Sequence, residues 1–523
     1  MQLVGGKRTE PLWLYAVAGA LMVGGPMWRE LYVNHYPLRP EVFALTLVAA
    51  ATGTIVAAGS WLVGGFLGTA AFGGLLFVFA DLQLDPQHWT YTAVVLAGCV
   101  ALAQLLFSHR AAISTLALGA FFLSSLARPA IAPPPERLDT SGPARLTNPL
   151  LVHIVLDEQW GVGGLRAAGD TVTAAFLTDY YLTRGFELYE SAYSHQMQTE
   201  ESLQSMMLLG QDGADRVPGR EAFMHSVRRN PYFARLHELG YAIHVDQTTF
   251  IDFCNGDTAV VSCQVQSGNS ISNIGYLDGS WVTRGVWALR YFLSTRSHVF
   301  ARLVPGPEGW RRALAGGGLA AMRRLAMAIA SRPQGGTAWF LHVQFPHRPY
   351  QTDEDCRIQT SPSRYLDYGL PAQPGDSLWR AALGVYADQV RCAHRALAGV
   401  IDAIDSTVGR DRSIVIVHGD HGSRLHPQDR HDMKVPLEAY SRTELNAHFA
   451  TLLAIRRPRF PATLHREPAP IQDVIWELAR HGFSGALPGT WPHYISKMPD
   501  RAHATRQLRP LAPSDMPWVS RPD

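Results

Sequence analysis

The sequence predicts an α/β domain with a mostly parallel sheet between helices, set behind an N-terminal bundle of about five transmembrane helices. Three observations carry this expectation. Charged residues make up 17% of the 523, yet between Glu10 and Arg128 they thin to a few short connections. Beyond that point short apolar, β-branched runs recur, and acidic, histidine or glycine residues follow them. Between the runs lie stretches with helical periodicity, an alternation that implies parallel strands covered on both faces. A chain of 523 residues is expected to form two or more domains. Its net charge of +2, with no basic stripe interleaved with aromatics, sets nucleic acid aside as a partner.

A membrane span needs about 20 mostly apolar residues. Five stretches fit: Pro11–Trp28, Val42–Gly59, Trp61–Ala80, Trp89–Ser108 and Ala111–Ala127. The second and third meet at Gly59-Ser60 without a polar loop. A cleaved signal peptide would account for the first stretch but not the four that follow. Five spans put the two ends on opposite sides. Lys7 and Arg8 before the first span, and His109-Arg110 in the fourth connection, favour a cytoplasmic N-terminus and an outward-facing C-terminal part. Arg29 and Arg39, in a loop assigned outside, pull the other way. The expected organisation is therefore residues 1–128 in the membrane, a linker at 129–149, a soluble domain at 150–500 and a polar, Pro-rich, loosely attached tail at 501–523. The linker's prolines make it an extended, semi-stiff tether.

Leu150–Leu156 reads as a buried strand ending in Asp157-Glu158, a site edge or simply two exposed loop acids. Thr171–Arg184 looks helical and Phe186–Tyr189 extended. Thr199, ahead of the apolar helical run Leu203–Leu209, has N-cap chemistry, which is the plainer reading of that residue alone. A hydroxyl there would also profit, as a nucleophile, from the helix dipole and unpaired amides. Cys254 and Cys263 flank an Asn-Gly-Asp turn signal that can bring them within bridging distance; Cys356 and Cys392 are a second candidate pair. Free buried thiols are the alternative for each, and Cys99 lies in a span. Ala338–Phe345 reads as a strand entering a loop braced by Pro346 and Pro349, which would hold His347 and Arg348 for an anionic substrate, a solvated loop histidine being the ordinary alternative. Trp379–Ile404 is a long amphipathic helix whose His394 and Arg395 read as surface residues.

The run Ile414–Val417 then leads into Gly419-Asp420-His421-Gly422. Glycines permit a turn and close approach. An oxygen donor beside a nitrogen donor at a strand's C-terminal end suits a divalent metal such as Zn²⁺ or Mn²⁺. A tight turn with a solvated Asp-His pair is the ordinary alternative.

Four of these pieces together resemble the alkaline phosphatase/sulfatase superfamily, and within it the membrane-anchored phosphoethanolamine and phosphoglycerol transferases, including the lipoteichoic acid synthases. The layout of five spans, a linker and an extracytoplasmic sulfatase-like domain is similar too. Val155-Leu156-Asp157-Glu158 resembles the context of the family's first metal carboxylate, which implies Glu158 as ligand and Asp157 as a second candidate. Thr199-Glu200-Glu201-Ser202-Leu203-Gln204-Ser205-Met206 is similar to the pattern around the family's nucleophilic threonine, with Gln204 in place of a proline. Phe345–Glu354 resembles the substrate-binding histidine loop, and Gly419–Gly422 the metal pair. His431 or His426 would supply a further substrate-binding histidine.

On this resemblance Thr199 becomes the nucleophile and also a metal ligand, with Glu158, Asp420 and His421 holding one divalent metal, Zn²⁺ or Mn²⁺. The implied activity is transfer of a phospholipid headgroup, through a phospho-threonine, onto an envelope glycan or lipid. The implied location is the bacterial inner membrane with the catalytic domain facing the periplasm, among envelope-biosynthesis partners. A membrane-anchored hydrolase, or a non-catalytic envelope assembly protein, are the alternatives. No C/S-x-P-S-R motif surrounds Thr199, which disfavours sulfate-ester hydrolysis.

Overall fold

The computed structural model of the chain describes residues 10–34, 36–84, 89–106, 108–127, 136–137, 147–209, 224–227, 230–254, 259–266, 270–303, 314–331, 335–359, 377–425, 436–497 and 506–519. It divides into two compact units. One joins Met1–Ala132 to Asn269–Gly316; the other joins Pro133–Gly268 to Gly317–Asp523. The chain therefore passes between units at three places, where a single linker was expected.

The first unit contains five helices, Leu12–Val33, Pro40–Val63, Gly65–Leu84, Trp89–Leu105 and Arg110–Ala127. Pro40–Val63 and Gly65–Gln83 are long and apolar enough to cross a membrane, while Thr92–Leu105 and Arg110–Phe121 are shorter apolar helices. The break between the second and third helices falls at Gly64, not at Gly59-Ser60. Gly64 and Gly65 adopt positive φ, which a glycine reaches without steric cost. Many large apolar side chains point outward here, among them Leu47, Val48, Ile55, Phe66 and Leu67. Arg110, expected in a connecting loop, is buried and donates to the Tyr15 hydroxyl and to Thr69 Oγ1. Three shorter helices of the inserted segment, Ile271–Ile274, Trp281–Arg296 and His298–Leu303, belong to the same unit.

The second unit is a mixed α/β structure around a nine-stranded, mostly parallel sheet. In spatial order the strands are Glu136–Arg137, Val260–Gln266, Ala242–Thr248, Thr337–Val343, Leu150–Leu156, Ser413–Gly419, Leu453–Arg456, Glu187–Tyr189 and Thr463–His465. The two central strands, Leu150–Leu156 and Ser413–Gly419, are buried at every position. That is why they read as continuous apolar runs instead of alternating ones. Glu136–Arg137, inside the stretch expected to be a tether, adds an antiparallel edge strand beside Ser262 and Cys263.

Two further expectations are corrected. His394 is fully buried, with its ring nitrogens bonded to the Tyr181 hydroxyl (3.0 Å) and the Val390 carbonyl (2.8 Å). The long helix, Ser377–Thr407, is flanked on that side by aromatic residues that enclose the imidazole. The C-terminal stretch is built in: Gln507–Pro510 pairs with Tyr494–Lys497, and Trp518 is 1% exposed. Burying Leu511, Met516 and Trp518 supplies the apolar anchorage that a polar composition conceals. Cys254–Cys263 and Cys356–Cys392 are disulfides, and Cys99 is free.

Candidate active site

Strand register assembles the site. Leu156 lies opposite Gly419 on one side and Val343 on the other. Asp157, Asp420 and the loop after Val343 therefore leave three adjacent parallel strands at the same level, at the sheet edge where α/β proteins place ligands. The glycines flanking Asp420-His421 are needed for close approach, not for a turn, since neither has positive φ. A Cβ on Gly419 would run into Thr451 and Gln159, and one on Gly422 into the Ala447 backbone.

Asp157, Asp420 and His421 form a buried group whose donor atoms all lie within 4.8 Å of one another. Thr199 joins them, its Oγ1 3.1 Å from His421 Nε2. Thr199 is not the N-cap of its helix. Gln198 occupies that position, and Thr199 is the first residue of Thr199–Met207, freeing its hydroxyl to face the cluster. The helix start is tied to the metal-pair strand by Ser202, which donates to the Asp420 carbonyl (2.6 Å) and accepts from Gln472 (3.0 Å).

Glu158 turns another way. Its φ of 60° lies in the left-handed region, strained for a non-glycine residue, and so separates it from Asp157. Its carboxylate faces a histidine and two arginines: His347 Nε2 at 3.4 Å, Arg424 Nη1 at 3.6 Å and Arg348 Nε at 3.8 Å. It is not one of the three residues in the tight donor group. The long helix holds both loops. The Tyr386 hydroxyl donates to the Glu158 carbonyl (3.0 Å), and Gln389 Nε2 donates to the carbonyls of Pro346 (2.9 Å) and His347 (3.0 Å).

The electrostatics divide along the same line. Burial, reinforced by Asp420, pushes the Asp157 carboxyl well above its usual range. Burial also works against ionisation of Glu158, but His347, Arg348 and Arg424 outweigh it and hold that carboxyl below its usual range. Asp420 is likewise held low against burial, by His421 and by a hydrogen bond from Thr199. His421 is pushed down to about 4, first by burial and then by Arg424, so its ring is neutral at pH 7 and can donate a lone pair.

A divalent cation fits these residues. Asp157 Oδ1 and Asp420 Oδ2 are buried without a hydrogen-bond partner among the described residues. Buried carboxylate oxygens left this way are costly unless something positive sits between them. Oxygen donors plus one imidazole suit Zn²⁺ or Mn²⁺.

The expected site residues thus fall into three sets. Asp157, Thr199, Asp420 and His421 converge. Glu158, His347 and Arg348 adjoin them on the cationic side. His426 and His431 lie outside the described residues. Arg424 and His342 went unnoticed in the sequence. Arg424 places a guanidinium nitrogen 2.8 Å from His421 Nε2, and an arginine directly after Gly-Asp-His-Gly-Ser was the available signal. His342, fully buried, lies 3.7 Å from Asp157 Oδ2, and only its place at a strand end could have marked it.

No protein-family model matches the chain, and no curated protein matches it in sequence. Solved structures do. It is similar to the C-terminal periplasmic domain of EcEptC from Escherichia coli in complex with Zn, at 10% identity over 63% of this chain and 78% of that one, TM-score 0.37. It is similar to the C-terminal periplasmic domain of phosphoethanolamine transferase EptC from Campylobacter jejuni, at 12% identity over 64% and 89%, TM-score 0.35. It is also similar to a phosphonate monoester hydrolase from Silicibacter pomeroyi, at 13% identity over 67% and 79%, TM-score 0.38.

Proposed function

We propose that the protein is a metal-dependent transferase that moves a phospholipid-derived headgroup, phosphoethanolamine or phosphoglycerol, onto an envelope glycan or lipid through a phospho-threonine. The observation that carries this reading is the Thr199 hydroxyl, buried at a helix start and 3.1 Å from His421 Nε2, beside carboxylate oxygens that lack partners. Asp157, Asp420, His421 and the Thr199 oxygen would hold one divalent cation, Zn²⁺ or Mn²⁺, with Glu158 adjoining. Such a cation lowers the pKa of a hydroxyl and polarises a phosphoryl oxygen.

The chain's own residues do the rest. Thr199 first loses its hydroxyl proton to bulk water; its Oγ1 then attacks phosphorus, and the bond from phosphorus to the diacylglycerol oxygen breaks. Arg348 and Arg424 face the non-bridging oxygens, where planar guanidinium groups match phosphate geometry. His347 supplies a proton to the departing oxygen and later removes one from the acceptor hydroxyl, which attacks phosphorus as the bond to Thr199 Oγ1 breaks and leaves that oxygen deprotonated for the next donor. The five N-terminal helices span the inner membrane, the N-terminus lies in the cytoplasm and the catalytic unit faces the periplasm, which confines enzyme and lipid donor to one surface.

The test is mass spectrometry of the full-length protein after incubation with labelled phosphatidylethanolamine or phosphatidylglycerol. A headgroup-sized adduct on Thr199, absent from Thr199→Ala, is expected. Full transfer by Thr199→Ala would sink the reading. Free labelled headgroup as the sole product would replace transfer with hydrolysis.

A further inference from the structure

The segment Asn269–Gly316 is an insertion in the catalytic half of the sequence, yet it belongs to the unit of the five N-terminal helices. It is fastened there by three carboxylates. Arg284 pairs with Glu41, at the start of the second helix, at 2.6 Å; both groups are buried. Arg296 pairs with Glu30, near the end of the first, at 3.0 Å. Ser297 Oγ and the His298 N–H (3.3 Å) donate to Asp81, near the end of the third. In an up-and-down arrangement these three helix ends lie on one side of the bilayer. It is the side assigned to the catalytic unit.

The inner face of Trp281–Arg296 is buried through Arg284, Trp287, Ala288, Tyr291 and Phe292. An apolar stripe runs along its outer side as well, beside the more polar Thr283, Arg290 and Ser294. Trp281 (51% exposed), Val282 (51%) and Val286 (43%) point outward, and the half-buried Leu289 and Leu293 continue the stripe at helical spacing. A helix that buries one side and carries an exposed apolar stripe on the other has a second surface poorly suited to water. Soluble surfaces rarely carry such a contiguous patch. The helices it is fastened to expose Leu47, Ile55 and Phe66 in the same way. A tryptophan at the edge of such a face is typical of the headgroup level.

We infer that Trp281–Arg296 is a membrane-interface element, whose outer face rests in the headgroup-to-acyl boundary of the periplasmic leaflet while its inner face caps the ends of the first three helices. This rests on reading those helices as membrane spans. The partner is the lipid surface itself, because the face is continuous with surfaces that need the same solvent.

The test uses full-length protein with Cys99→Ala, reconstituted in phosphatidylethanolamine/phosphatidylglycerol vesicles, with bimane on one introduced cysteine at a time. Val286→Cys probes the interface, Leu47→Cys the second helix and Val172→Cys the exposed surface of the catalytic unit. At Val286→Cys, emission is expected to fall more with a nitroxide near the lipid headgroup than with one at the acyl-chain end. Leu47→Cys should show the reverse and Val172→Cys neither. Quenching at Leu47→Cys without any at Val286→Cys would overturn the interface element and leave the spans standing. No quenching at Leu47→Cys would overturn the spans, and the element with them.

Discussion

Asp157 and Glu158 are neighbours in sequence and occupy opposite halves of the candidate site. On the Asp157 side, the carboxylates of Asp157 and Asp420 crowd together with the neutral His421 imidazole, and Arg424 touches only the imidazole edge. On the Glu158 side, one carboxylate faces His347, Arg348 and Arg424. The difference teaches that adjacent acids need not share a task. The first half has donors for a cation; the second has cations for an anion. A metal and a phosphate ester between them would satisfy both.

The largest effect should come from the donor half. Asp420→Asn removes an oxygen that nothing else replaces, and should lower metal affinity by more than the 10–100-fold typical of outer partners. Metal analysis of the purified variant, with turnover at saturating metal, checks this. Unchanged metal content and activity would break the comparison.

Next comes the cationic half. Arg424→Ala should cost roughly 10²-fold in kcat/KM, about 3 kcal/mol, while metal content stays near that of the parent. Arg424→Lys should recover only part, because a point charge cannot bind two oxygens as a planar fork does. Loss of metal in Arg424→Ala, in place of a kinetic defect, would make the arginine a prop for His421.

A sharper test uses opposite signs. In metal-free protein Asp157 is a buried acid beside Asp420 with a raised pKa, so it favours folding at low pH and loses that contribution as pH rises through its folded-state pKa. Glu158 has a lowered pKa, so its contribution is present above its unfolded value of 4.5 and is lost as pH falls. After chelation, Asp157→Asn should therefore raise the melting temperature at pH 7, and Glu158→Gln should lower it, at a cost of about 1–3 kcal/mol of stability, as His347, Arg348 and Arg424 lose their shared carboxylate. Shifts of the same sign would erase the distinction. Smallest of all, Tyr386→Phe leaves the Trp160 N–H without its 2.8 Å acceptor and should cost about 1–2 kcal/mol of stability, read from urea midpoints, with a modest fall in turnover.

Much of this was legible before any coordinates. Leu150–Leu156 and Ser413–Gly419 announced themselves because strands buried on both faces leave uninterrupted apolar runs, and their terminal acids marked the site edge. The division between Asp157 and Glu158 was not legible, since it hangs on one positive φ. Nor was Thr199's escape from the cap position, which depends on where the helix begins to the residue. Arg424 drew no notice, because only the turn after the strand end brings it to His421. The insertion stayed hidden because Trp281–Arg296 has the length of any ordinary helix, and the carboxylates that hold it, Glu30, Glu41 and Asp81, belong to a remote part of the chain.

The three passages of chain between units carry a practical consequence for anyone wishing to cut the molecule apart. Trimming the N-terminal helices at one point would not liberate a clean α/β unit. The fragment would still carry Asn269–Gly316, with Arg284 and Arg296 stripped of their carboxylates and an oily helix looking for company. Such a fragment should clump or cling to detergent until that segment is also replaced by a short polar bridge.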